Sequence, residues 1–576
     1  MRILTCDEVR QAEHEAIRRP GGSTLVLMER AGHAVAQFCL ANFKFGSVCV
    51  VCGKGNNGGD GLVAAEALRQ SVDVSVIILA KDAGELSADA AAMCSRLGLE
   101  PIWIPSEADL ANDAVRDALA SDLILDAIVG TGFKPPLRGL AKAAVAAINN
   151  ALGAVVSVDL PSGVDADSKS PVHADGADVV FCHGIVTFIA PKPAHVFGEL
   201  TRGPIAVSEI GVQPVLTSNQ TGLEVISGRE VGIAFPPRPN DAHKGLFGHV
   251  LVIGGSLGKA GAPGLAGIAA LRAGAGLVTV ACPKAIQATV AGFAPELMTE
   301  GLPETDKGTI ALAAGARVNQ LLEGKDVIVL GPGLSTNPQT SNFVRRLVAT
   351  CPLPLVLDAD GLNAFAGACD KLKKSKSSML VLTPHPGEAA RLLGESTADI
   401  QTDRQAAART LAEKTGSCVV LKGSRTIVAG ASGEMWINLS GNPALAKGGS
   451  GDVLSGIIGA ALARRAASAP RFQQPSGGPD PEPPKTWVHE IYGADPGDKQ
   501  RKFQAQQLQR NSALASAFLK DVSVVSAVHL HGLAGDFARD MLHENTVLAG
   551  DLLQHLAEAF RDCELQMDKS LFYLQE

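Results

Sequence analysis

The amino-acid sequence predicts an α/β protein with two doubly wound domains, each a mostly parallel sheet covered by helices on both faces. Short apolar runs typical of strands alternate with helix-like segments in both halves of the chain. Gly occurs 62 times and aromatic residues make up only 4%, which suits close packing of helices on strands better than a β-sandwich. At 576 residues the chain is also long enough for more than one domain. Ligands of such sheets bind beyond the carboxyl ends of the strands.

The first half begins with a helix signal and continues with four strand-like runs. Thr5 and Glu8 form the capping-box pattern T-x-x-E, and a second helix-like segment follows at 23–43. The strand-like runs cover 47–52, 72–80, 122–130 and 154–160, and further helix-like segments cover 61–70 and 139–151. This alternation predicts a parallel sheet with helices between its strands.

A polar, turn-rich segment at 213–225 marks the domain boundary, which predicts domains over 1–217 and 222–576. A second alternating pattern follows that boundary. Its strand-like runs cover 249–256, 276–283, 326–333, 354–363, 379–388 and 418–423, and a long helix begins near residue 451. Nearly every one of these runs ends in Gly, Asp, His or Pro, as expected where the backbone approaches a ligand.

One segment breaks the second pattern. Residues 466–510 carry six prolines between Pro470 and Pro484, a density that precludes a regular helix or a central strand. We therefore interpret 466–510 as an exposed, partly disordered insertion. The α/β pattern resumes over 522–560 with the motif AVHLHGLAGDFA.

Charge and cysteine usage exclude several classes of function. The net charge is −8 and no Lys/Arg cluster stands out, so neither nucleic acid nor a membrane surface is an expected partner. The charged N-terminal stretch and the lack of a long uncharged apolar run predict neither a signal peptide nor a membrane span. The 11 cysteines lie in apolar segments, which indicates a reducing compartment. Cys49 and Cys52 should face opposite sides of a strand. We expect a cytoplasmic homo-oligomer acting on small molecules.

A glycine-rich segment follows the first strand-like run. In GKGNNGGDG, Gly53, Gly55 and Gly58 fit G-x-G-x-x-G, with Asp73 at the distance of a ribose-binding acid, so a dinucleotide-binding loop is one interpretation. Glycines leave backbone amides free for a phosphate, while Asn and Asp oxygens can coordinate a cation. The alternative is a glycine-rich turn capped by Asp60.

Two further strand ends of the first half carry similar loops. Asp126 begins DAIVGTGFKPP, and Asp159 and Ser162 belong to VDLPSGVD. Any one of these acids can cap a turn. Because parallel strands end at the same sheet edge, the three loops together predict one binding site.

GNNGGDG, DAIVGTG and VDLPSGVD together resemble the epimerase domain that repairs hydrated NADH and NADPH, over about residues 1–215. The resemblance implies a Rossmann-like three-layer α/β/α domain that holds a potassium ion on Asn57, Asp126 and Ser162. Oxygen-only ligands suit such a hard ion. Asp159 is the candidate catalytic acid/base at C6 of the reduced ring. The residues implied to bind the hydrated nucleotide are Asn56, Asn57, Gly58, Gly59, Asp60, Gly130, Thr131, Gly132, Phe133, Lys134, Pro135, Pro136 and Asp159.

The most telling motif of the second half is the turn Lys447-Gly-Gly-Ser-Gly-Asp452 before a long helix. Free amides and the positive end of the helix dipole attract an anion at such a turn. A neighbouring aspartate can act as base on a hydroxyl that attacks a phosphoryl group. Taken alone, Asp452 is better explained as a helix cap, and the other loops of this half favour the catalytic interpretation.

Four further motifs accompany this turn: GPG at 331–333, DADGLN at 358–363, TPHPGE at 383–388 and KGS at 422–424. Together they resemble the ribokinase-like dehydratase of hydrated NADH and NADPH, and the resemblance covers about 225–465 and 522–560. The family phosphorylates the C6 hydroxyl and eliminates phosphate, with ADP and Mg²⁺ in fused proteins of this layout. The residues implied to contact the hydrate are Ala262, Gly333, His385 and the catalytic Asp452, and those implied to bind ADP or AMP are Lys422, Gly423, Ser424, Arg425, Thr426 and Gly451.

Two alternative functions use the same motifs. One is a ribokinase-type kinase of a small molecule such as a vitamin alcohol, fused to a nucleotide-binding module. It would leave a stable phosphorylated product, whereas the dehydratase releases inorganic phosphate. The other treats the first domain as a nucleotide sensor without activity, which the joint presence of Asp126, Asp159 and Ser162 disfavours.

Overall fold

A computed structural model describes residues 1–19, 21–169, 171–172, 178–212, 222–468, 521–566 and 572–575. The chain divides into two compact units, Met1–Val225 with Asp568–Glu576, and Ile226–Met567. Each unit has its own α/β sheet, which confirms the predicted fold class. Residues 213–221 of the predicted boundary at 213–225 and residues 469–510 of the predicted insertion lie outside the described residues. The functional limits 1–217 and 222–576 stay predictions.

The sheet of the first unit is parallel apart from one edge strand. Its order across the sheet is Phe572–Gln575, Ile205–Ser208, Gly184–Phe188, Ala154–Val158, Leu123–Ala127, Ser47–Cys52, Asp73–Ile78 and Ile102–Trp103, the first of these running antiparallel to its neighbour. The helices of this unit are Cys6–Ile17, Thr24–Asn42, Asn56–Leu68, Ala88–Arg96, Asp113–Leu119, Gly139–Asn149 and Pro193–Phe197.

Local sequence signals account for these elements. The predicted capping box is present, since the Thr5 hydroxyl accepts from the Glu8 amide and the Glu8 carboxylate accepts from the Thr5 amide. The strand Ser47–Cys52 is a continuous apolar run because both faces of the sheet are covered. Cys49 packs in one apolar cluster and Cys52 in another, on opposite faces, as their spacing predicts.

The sheet of the second unit is parallel through seven strands and ends in an antiparallel hairpin. Its order is Met298–Leu302, Leu277–Pro283, His249–Ile253, Val327–Leu330, Leu355–Leu357, Leu380–Leu382, Cys418–Leu421, Ile427–Ala429 and Met435–Ile437, while a two-residue strand, Glu224–Val225, precedes this unit in the chain. The helices are Gly228–Ala234, Gly261–Arg272, Gln287–Ala291, Ala314–Leu321, Pro338–Thr350, Asp360–Asn363, Pro386–Leu393, Thr397–Thr402, Arg404–Thr415, Ser450–Ser468, 521–542 and Ala549–Gln566. Among the described helices of the chain, none is long and apolar enough to cross a membrane.

Two local predictions for the first unit are wrong. The helix predicted at 61–70 begins at Asn56, so most of the glycine-rich segment is helical. A Cβ at Gly58 would lie 2.1 Å from the Gly53 carbonyl oxygen, so this glycine allows the helix to start against the strand end. Asp73 is the first residue of its strand and pairs with Ser47. It therefore lies at the amino edge of the sheet and cannot reach a ligand at the carboxyl edge.

Candidate functional site

A cavity of about 820 Å³ lies at the carboxyl ends of the central strands of the first unit. All three predicted loops line it, which is the convergence that the parallel sheet predicts. The predicted residues that line the cavity are Asn56, Asn57, Asp60, Gly130, Thr131, Gly132, Phe133 and Asp159. A Cβ on Gly130 would lie 2.9 Å from Asn57 Oδ1 and 3.1 Å from Asp159 Oδ2, so these three residues meet at its floor.

Five predicted nucleotide-binding residues lie outside the cavity lining: Gly58 at the helix start, Gly59, Lys134, Pro135 and Pro136. Gly59 is buried in the helix Asn56–Leu68, where a Cβ would lie 2.5 Å from the Met28 side chain. Lys134 donates from Nζ to Asp165 at 2.7 Å and to Asp167 at 3.3 Å. Pro135 and Pro136 follow Lys134 in the same loop and are exposed.

Asp159 is the most constrained polar residue of this cavity. It is buried and has a φ of +66°, an outlier for a residue other than glycine and a sign of local strain. Its Oδ2 accepts from the Thr131 amide at 2.9 Å and from the Thr131 hydroxyl, and its Oδ1 accepts from Thr187 at 2.9 Å. The Lys192 ammonium donates to Oδ1 at 2.7 Å. Burial raises the pKa of Asp159, but Lys192 and these hydrogen bonds outweigh it, so the pKa lies below its usual range.

Lys192 lines the same cavity, and the sequence motifs did not reveal it. Its side chain is 1% exposed and also donates to the Thr187 hydroxyl at 2.7 Å and to the Phe188 carbonyl at 3.1 Å. His195 accepts at Nδ1 from the Lys192 amide and lies 2.8 Å from the Asp159 carbonyl through Nε2. Burial and the Lys192 charge lower the pKa of His195 to about 4, so the ring is neutral and donates from Nε2. A lysine between two prolines in an apolar stretch is the only sequence signal for this arrangement.

Two further carboxyl groups line the cavity and differ from Asp159 in their electrostatics. Burial raises the pKa of Asp60 well above its ordinary value, and the neighbouring Asp159 and Glu13 raise it further. Burial likewise raises the pKa of Glu13, which the sequence motifs did not indicate. The cavity therefore combines one ionised aspartate with two carboxyl groups that hold their protons more tightly than in water.

Asp126 and Ser162, two of the predicted potassium ligands, are adjacent and buried beneath the cavity. Asp126 accepts from the Ser162 amide at 2.8 Å, from the Ser162 hydroxyl at 2.5 Å and from the Ser157 hydroxyl at 2.9 Å. All these partners are neutral, and the described groups that oppose the effect of burial on the pKa of Asp126 are hydrogen-bond donors without charge. Burial raises the pKa of Asp126. A buried carboxylate without a counter-charge is costly, and a bound cation would remove that cost.

The third predicted ligand, Asn57, has an orphaned polar atom. Its amide nitrogen is buried and finds no hydrogen-bond partner in the part of the chain that the structure describes. Rotating the Asn57 side-chain amide by 180° would place its oxygen where the unpartnered nitrogen now lies. Asp126, Ser162 and the Val129 carbonyl, 3.3 Å from the Ser162 hydroxyl, are neighbouring oxygen groups, and an Asn57 oxygen would add one more of the kind that an alkali ion prefers. These residues fit the implied ion.

The second unit places the predicted Asp452 in the first turn of the helix Ser450–Ser468. Gly449, directly before the helix, has φ +95°, and a Cβ there would lie 2.8 Å from Leu265 and 2.9 Å from Ala549. Only glycine fits this turn. Burial and the nearby Asp358 raise the pKa of Asp452 to about 7. That value suits a general base that works near neutral pH.

Asp358 joins the predicted nucleotide loop to the helix of Asp452. Its Oδ1 accepts from Lys422 Nζ at 2.9 Å and its Oδ2 accepts from the Ser455 hydroxyl at 2.7 Å. A Cβ on Gly451 would lie 3.3 Å from Lys422 Nζ, so the ammonium lies beside the turn. Burial lowers the pKa of Lys422, but Asp358 and Glu388 outweigh it and hold it above its ordinary value. Lys422 is thus an ionised group that faces the predicted anion site.

His385 lies at the same edge of the second sheet. It caps the N-terminus of the helix Pro386–Leu393, and its Nδ1 accepts from the Gly387 amide at 3.0 Å. Its Nε2 is 3.5 Å from Glu388, a buried carboxylate that also lies 4.0 Å from Lys422 Nζ. Burial lowers the pKa of His385. His385 and Lys422 therefore meet through Glu388, which sequence reasoning treated only as part of a motif.

The other predicted residues of the second unit form two groups. Ala262 and Gly333 adjoin each other, since a Cβ on Gly333 would lie 3.2 Å from the Ala262 Cβ. Arg404 fixes the loop Gly423 to Thr426 through its guanidinium group. It donates to the carbonyls of Leu421 and Lys422 at 3.2 Å and also to the carbonyl of Ser424. The Thr426 hydroxyl donates to the Gly423 carbonyl, and Arg425 has φ +55°. Lys422 is the member of this loop that reaches the turn.

The described residues contain no cluster of three or more His, Cys, Asp or Glu side chains arranged to hold a metal ion. Magnesium usually needs only one or two carboxylates in addition to the phosphates of its nucleotide. Both oxygens of Asp358 are engaged by Lys422 and Ser455. A magnesium ion in the second unit would therefore be held mainly by the phosphates of the nucleotide.

Comparison with known proteins gives two family matches. The model described as NAD(P)H-hydrate dehydratase matches residues 250–473, and that described as YjeF-related protein N-terminus matches residues 24–194. The bifunctional NAD(P)H-hydrate repair enzyme Nnr of Moorella thermoacetica is 35% identical over 580 residues, covering 99% of this chain and 98% of the relative. The protein of the same name from Escherichia coli is 34% identical over 80% of this chain and 85% of its own length. A solved ADP/ATP-dependent NAD(P)H-hydrate dehydratase of Bacillus subtilis, co-crystallised with ATP/Mg²⁺, is 26% identical and covers 59% of this chain and 99% of that one, with a TM-score of 0.43.

Proposed function

Because the chain belongs to the bifunctional NAD(P)H-hydrate repair enzymes, we propose that its two units carry two successive reactions on hydrated NADH and NADPH. The first unit interconverts the R and S configurations at C6 of the hydrated ring. The second dehydrates the S form with ADP and releases AMP and phosphate. Full-length similarity carries this proposal, and the convergence of the three predicted loops on one cavity supports the epimerase part.

In the first unit, Asp159 is proposed to take the proton of the C6 hydroxyl as the bond between C6 and the ring nitrogen breaks, which leaves an aldehyde at C6 and a nitrogen that takes up a proton. The configuration inverts when the nitrogen loses that proton and attacks the other face of the aldehyde, and Asp159 returns its proton to the oxygen. Lys192 keeps Asp159 ionised, so this carboxylate begins as the acceptor. Asp60 and Glu13 hold protons more readily than in water and can serve as donors to the substrate in the same cavity. Thr131 and Thr187 fix the direction of the Asp159 oxygens.

A potassium ion is proposed to be held by Asn57, Asp126 and Ser162. When bound, the ion supplies a fixed positive charge close to the nucleotide and compensates the buried Asp126 carboxylate. The hydrogen bonds from Ser157 and Ser162 orient the Asp126 oxygens without neutralising them. The neutral partners of this buried acid are the observation that supports the proposal.

In the second unit, Asp452 is proposed to accept the proton of the C6 hydroxyl as its oxygen attacks the β-phosphorus of ADP and AMP leaves. Amides at the start of Ser450–Ser468 and the Lys422 ammonium stabilise the negative charge of the transferred phosphoryl group. The C6–O bond then breaks, phosphate departs and a proton leaves C5, which restores the ring double bond. Magnesium, held mainly by the ADP phosphates, supplies further charge neutralisation.

The test uses the purified full-length protein with hydrated NADH and either ADP or ATP. Return of NADH absorbance together with equimolar AMP and phosphate supports the dehydratase. A stable phosphorylated product would instead identify the small-molecule kinase. Asp452→Asn should lower the dehydration rate by a factor of about 10² or more, since a general base is removed. Its epimerisation rate, followed by separation of the R and S hydrates, should stay at the wild-type level, and loss of both activities would contradict the division of labour.

The nucleotide contacts predicted from the sequence motifs belong to this proposal. In the first unit they comprise the cavity residues and the loop of Lys134, and in the second unit they comprise His385 with Ala262 and Gly333 for the hydrate and the Lys422 loop with Gly451 for ADP. A cytoplasmic location and a homo-oligomeric state stay predictions of the sequence.

A further inference from the structure

The helical residues 521–542 follow the predicted insertion and carry the motif AVHLHGLAGDFA, to which the proposed reactions assign no role. This segment packs against the loop that leads to the turn of Asp452. We infer that His531, on this helix, is a positioning residue for the catalytic turn of the second unit. The inference rests on the proposed dehydratase function and names no new substrate contact.

His531 bonds to the first residue of the catalytic helix. Its Nε2 lies 2.9 Å from the Ser450 carbonyl oxygen and 3.1 Å from the Ser450 hydroxyl oxygen. Ser450 immediately precedes Gly451 and stands two residues before Asp452. Both His531 and Ser450 are buried, so the contact does not compete with water.

The protonation state of His531 suits a permanent donor. Burial lowers its pKa to about 4, and the nearby Lys422 acts in the same direction. The ring is therefore neutral over the working pH range, and its single N–H must lie on Nε2 to serve the carbonyl acceptor. A neutral donor of this kind holds the turn without adding a charge beside the transferred phosphoryl group.

The same helix also fixes the loop before the turn. Asp536 accepts from the Gly441 amide at 2.8 Å and from the Asn442 side chain at 2.8 Å. The Ser440 hydroxyl donates to a main-chain carbonyl of the helix at 3.0 Å. A Cβ on Gly532 would lie 2.1 Å from the Ser440 hydroxyl oxygen and 2.8 Å from its carbonyl oxygen, so this close approach of helix and loop requires glycine. With the rest of the loop fixed in this way, His531 is the contact that reaches the turn itself.

A shift of the turn would move the Asp452 carboxylate relative to the bound hydroxyl. Displacements of about 1 Å at a reacting group lower rates by about a hundredfold. Removing the His531 donor also takes a hydrogen bond away from the buried oxygens of Ser450. That loss favours a rearrangement of the turn. We therefore expect a large effect on the turnover of dehydration and none on epimerisation.

The experiment compares three variants of the full-length protein. His531→Leu removes the donor, His531→Gln restores an N–H at a similar reach, and His529→Leu is the matched control. His529 is buried on the same helix, and its ring contacts Asn438 at 3.3 Å rather than Ser450. For each variant, kcat and KM for ADP, the pH dependence of dehydration, the epimerisation rate and the unfolding temperature are measured.

We expect His531→Leu to lower kcat of dehydration at least tenfold and to move the midpoint of its pH profile, because the burial of Asp452 changes with the turn. His531→Gln should recover most of kcat, and His529→Leu should change kcat less than threefold. Equal losses in both leucine variants with unchanged pH profiles would overturn the inference, as would an inactive but folded His531→Gln.

Two safeguards separate the possible failures. Wild-type protein without ADP-dependent dehydration would refute the proposed function itself, before any variant is compared. Should His531→Leu not fold, His531→Gln and His531→Asn carry the test, since both keep an amide N–H but the shorter asparagine does not reach the Ser450 carbonyl. Near-normal kcat in the glutamine variant with a several-fold loss in the asparagine variant supports the positioning role. The reverse order contradicts it.

Discussion

The raised pKa of Asp452 predicts a specific pH dependence of the dehydration reaction. With a pKa of about 7 in the free protein, about one-tenth of Asp452 is ionised at pH 6 and about nine-tenths at pH 8. Only the carboxylate can accept the proton of the attacking hydroxyl. Between pH 6 and pH 8, kcat/KM for the hydrate should therefore rise by a factor of about ten, since kcat/KM reports the pKa of the free enzyme.

The structure also names the residue that moves this midpoint. After burial, the Asp358 carboxylate is the largest cause of the raised pKa of Asp452. Asp358→Asn preserves shape while removing that charge, and it releases Lys422 from its ion pair. Both changes favour the ionised form of Asp452, so the midpoint should move to lower pH even if the plateau falls. Asp370→Asn, at an exposed site, serves as the control and should leave the midpoint unchanged.

The assay is NADH absorbance from pH 5.5 to 8.5 with both the S hydrate and ADP well below saturation, so that the rate reports the free enzyme. A flat wild-type profile across this range would refute the assignment of Asp452 as the base. An unchanged midpoint in Asp358→Asn would refute the electrostatic explanation. The sign for stability is opposite to that for activity. Because the folded-state pKa of Asp452 is raised above its unfolded value, the contribution of this group is present below about pH 4 and lost as the pH rises through 7.

Two further predictions concern the first unit. Asp126→Asn should abolish the stimulation of epimerisation by potassium, because the buried charge that attracts the ion is gone. Epimerisation rates and unfolding temperatures in KCl and in choline chloride test this, with the exposed Asp117→Asn as control. Equal wild-type values in both salts would exclude the ion site. Lys192→Met should lower the epimerisation rate at least tenfold and raise the pKa of Asp159, so that activity falls on the acid side at higher pH than in the wild type. A variant that keeps the wild-type rate and profile would show that Lys192 serves only packing.

The sequence predicts the fold of both units well because apolar runs bounded by glycine or aspartate mark buried parallel strands. The runs at 47–52 and 154–160 correspond to the strands Ser47–Cys52 and Ala154–Val158. Strands without such marks, for example Ile205–Ser208 at one side of the first sheet, were not predicted. The error at 61–70 has a physical cause, since glycines that look like a loop here permit close packing of a helix on a strand end.

Motif residues of the candidate sites were predictable, whereas their partners were not. Asp159 belongs to a recognisable strand-end motif, but the ion pair that sets its pKa comes from Lys192, which lies beyond the next strand. In the same way, the pKa of Asp452 depends on Asp358 and Lys422, which are far away in the sequence. Such pairs arise from the order of strands across the sheet, and local sequence carries little information about that order.

The antiparallel strand Phe572–Gln575 has a consequence for the synthesis of the protein. It pairs with Ile205–Ser208, so the sheet of the first unit is completed by a segment made about 360 residues later. At ribosomal rates of 5–20 residues per second, the strand Ile205–Ser208 waits roughly 20–70 s with that side uncovered. Unpaired strand edges are where nascent chains associate wrongly, so this interval is when the first unit needs chaperone protection. A fragment ending at residue 217 would keep that vulnerability permanently, and expression of the first unit alone should fuse residues 568–576 to it.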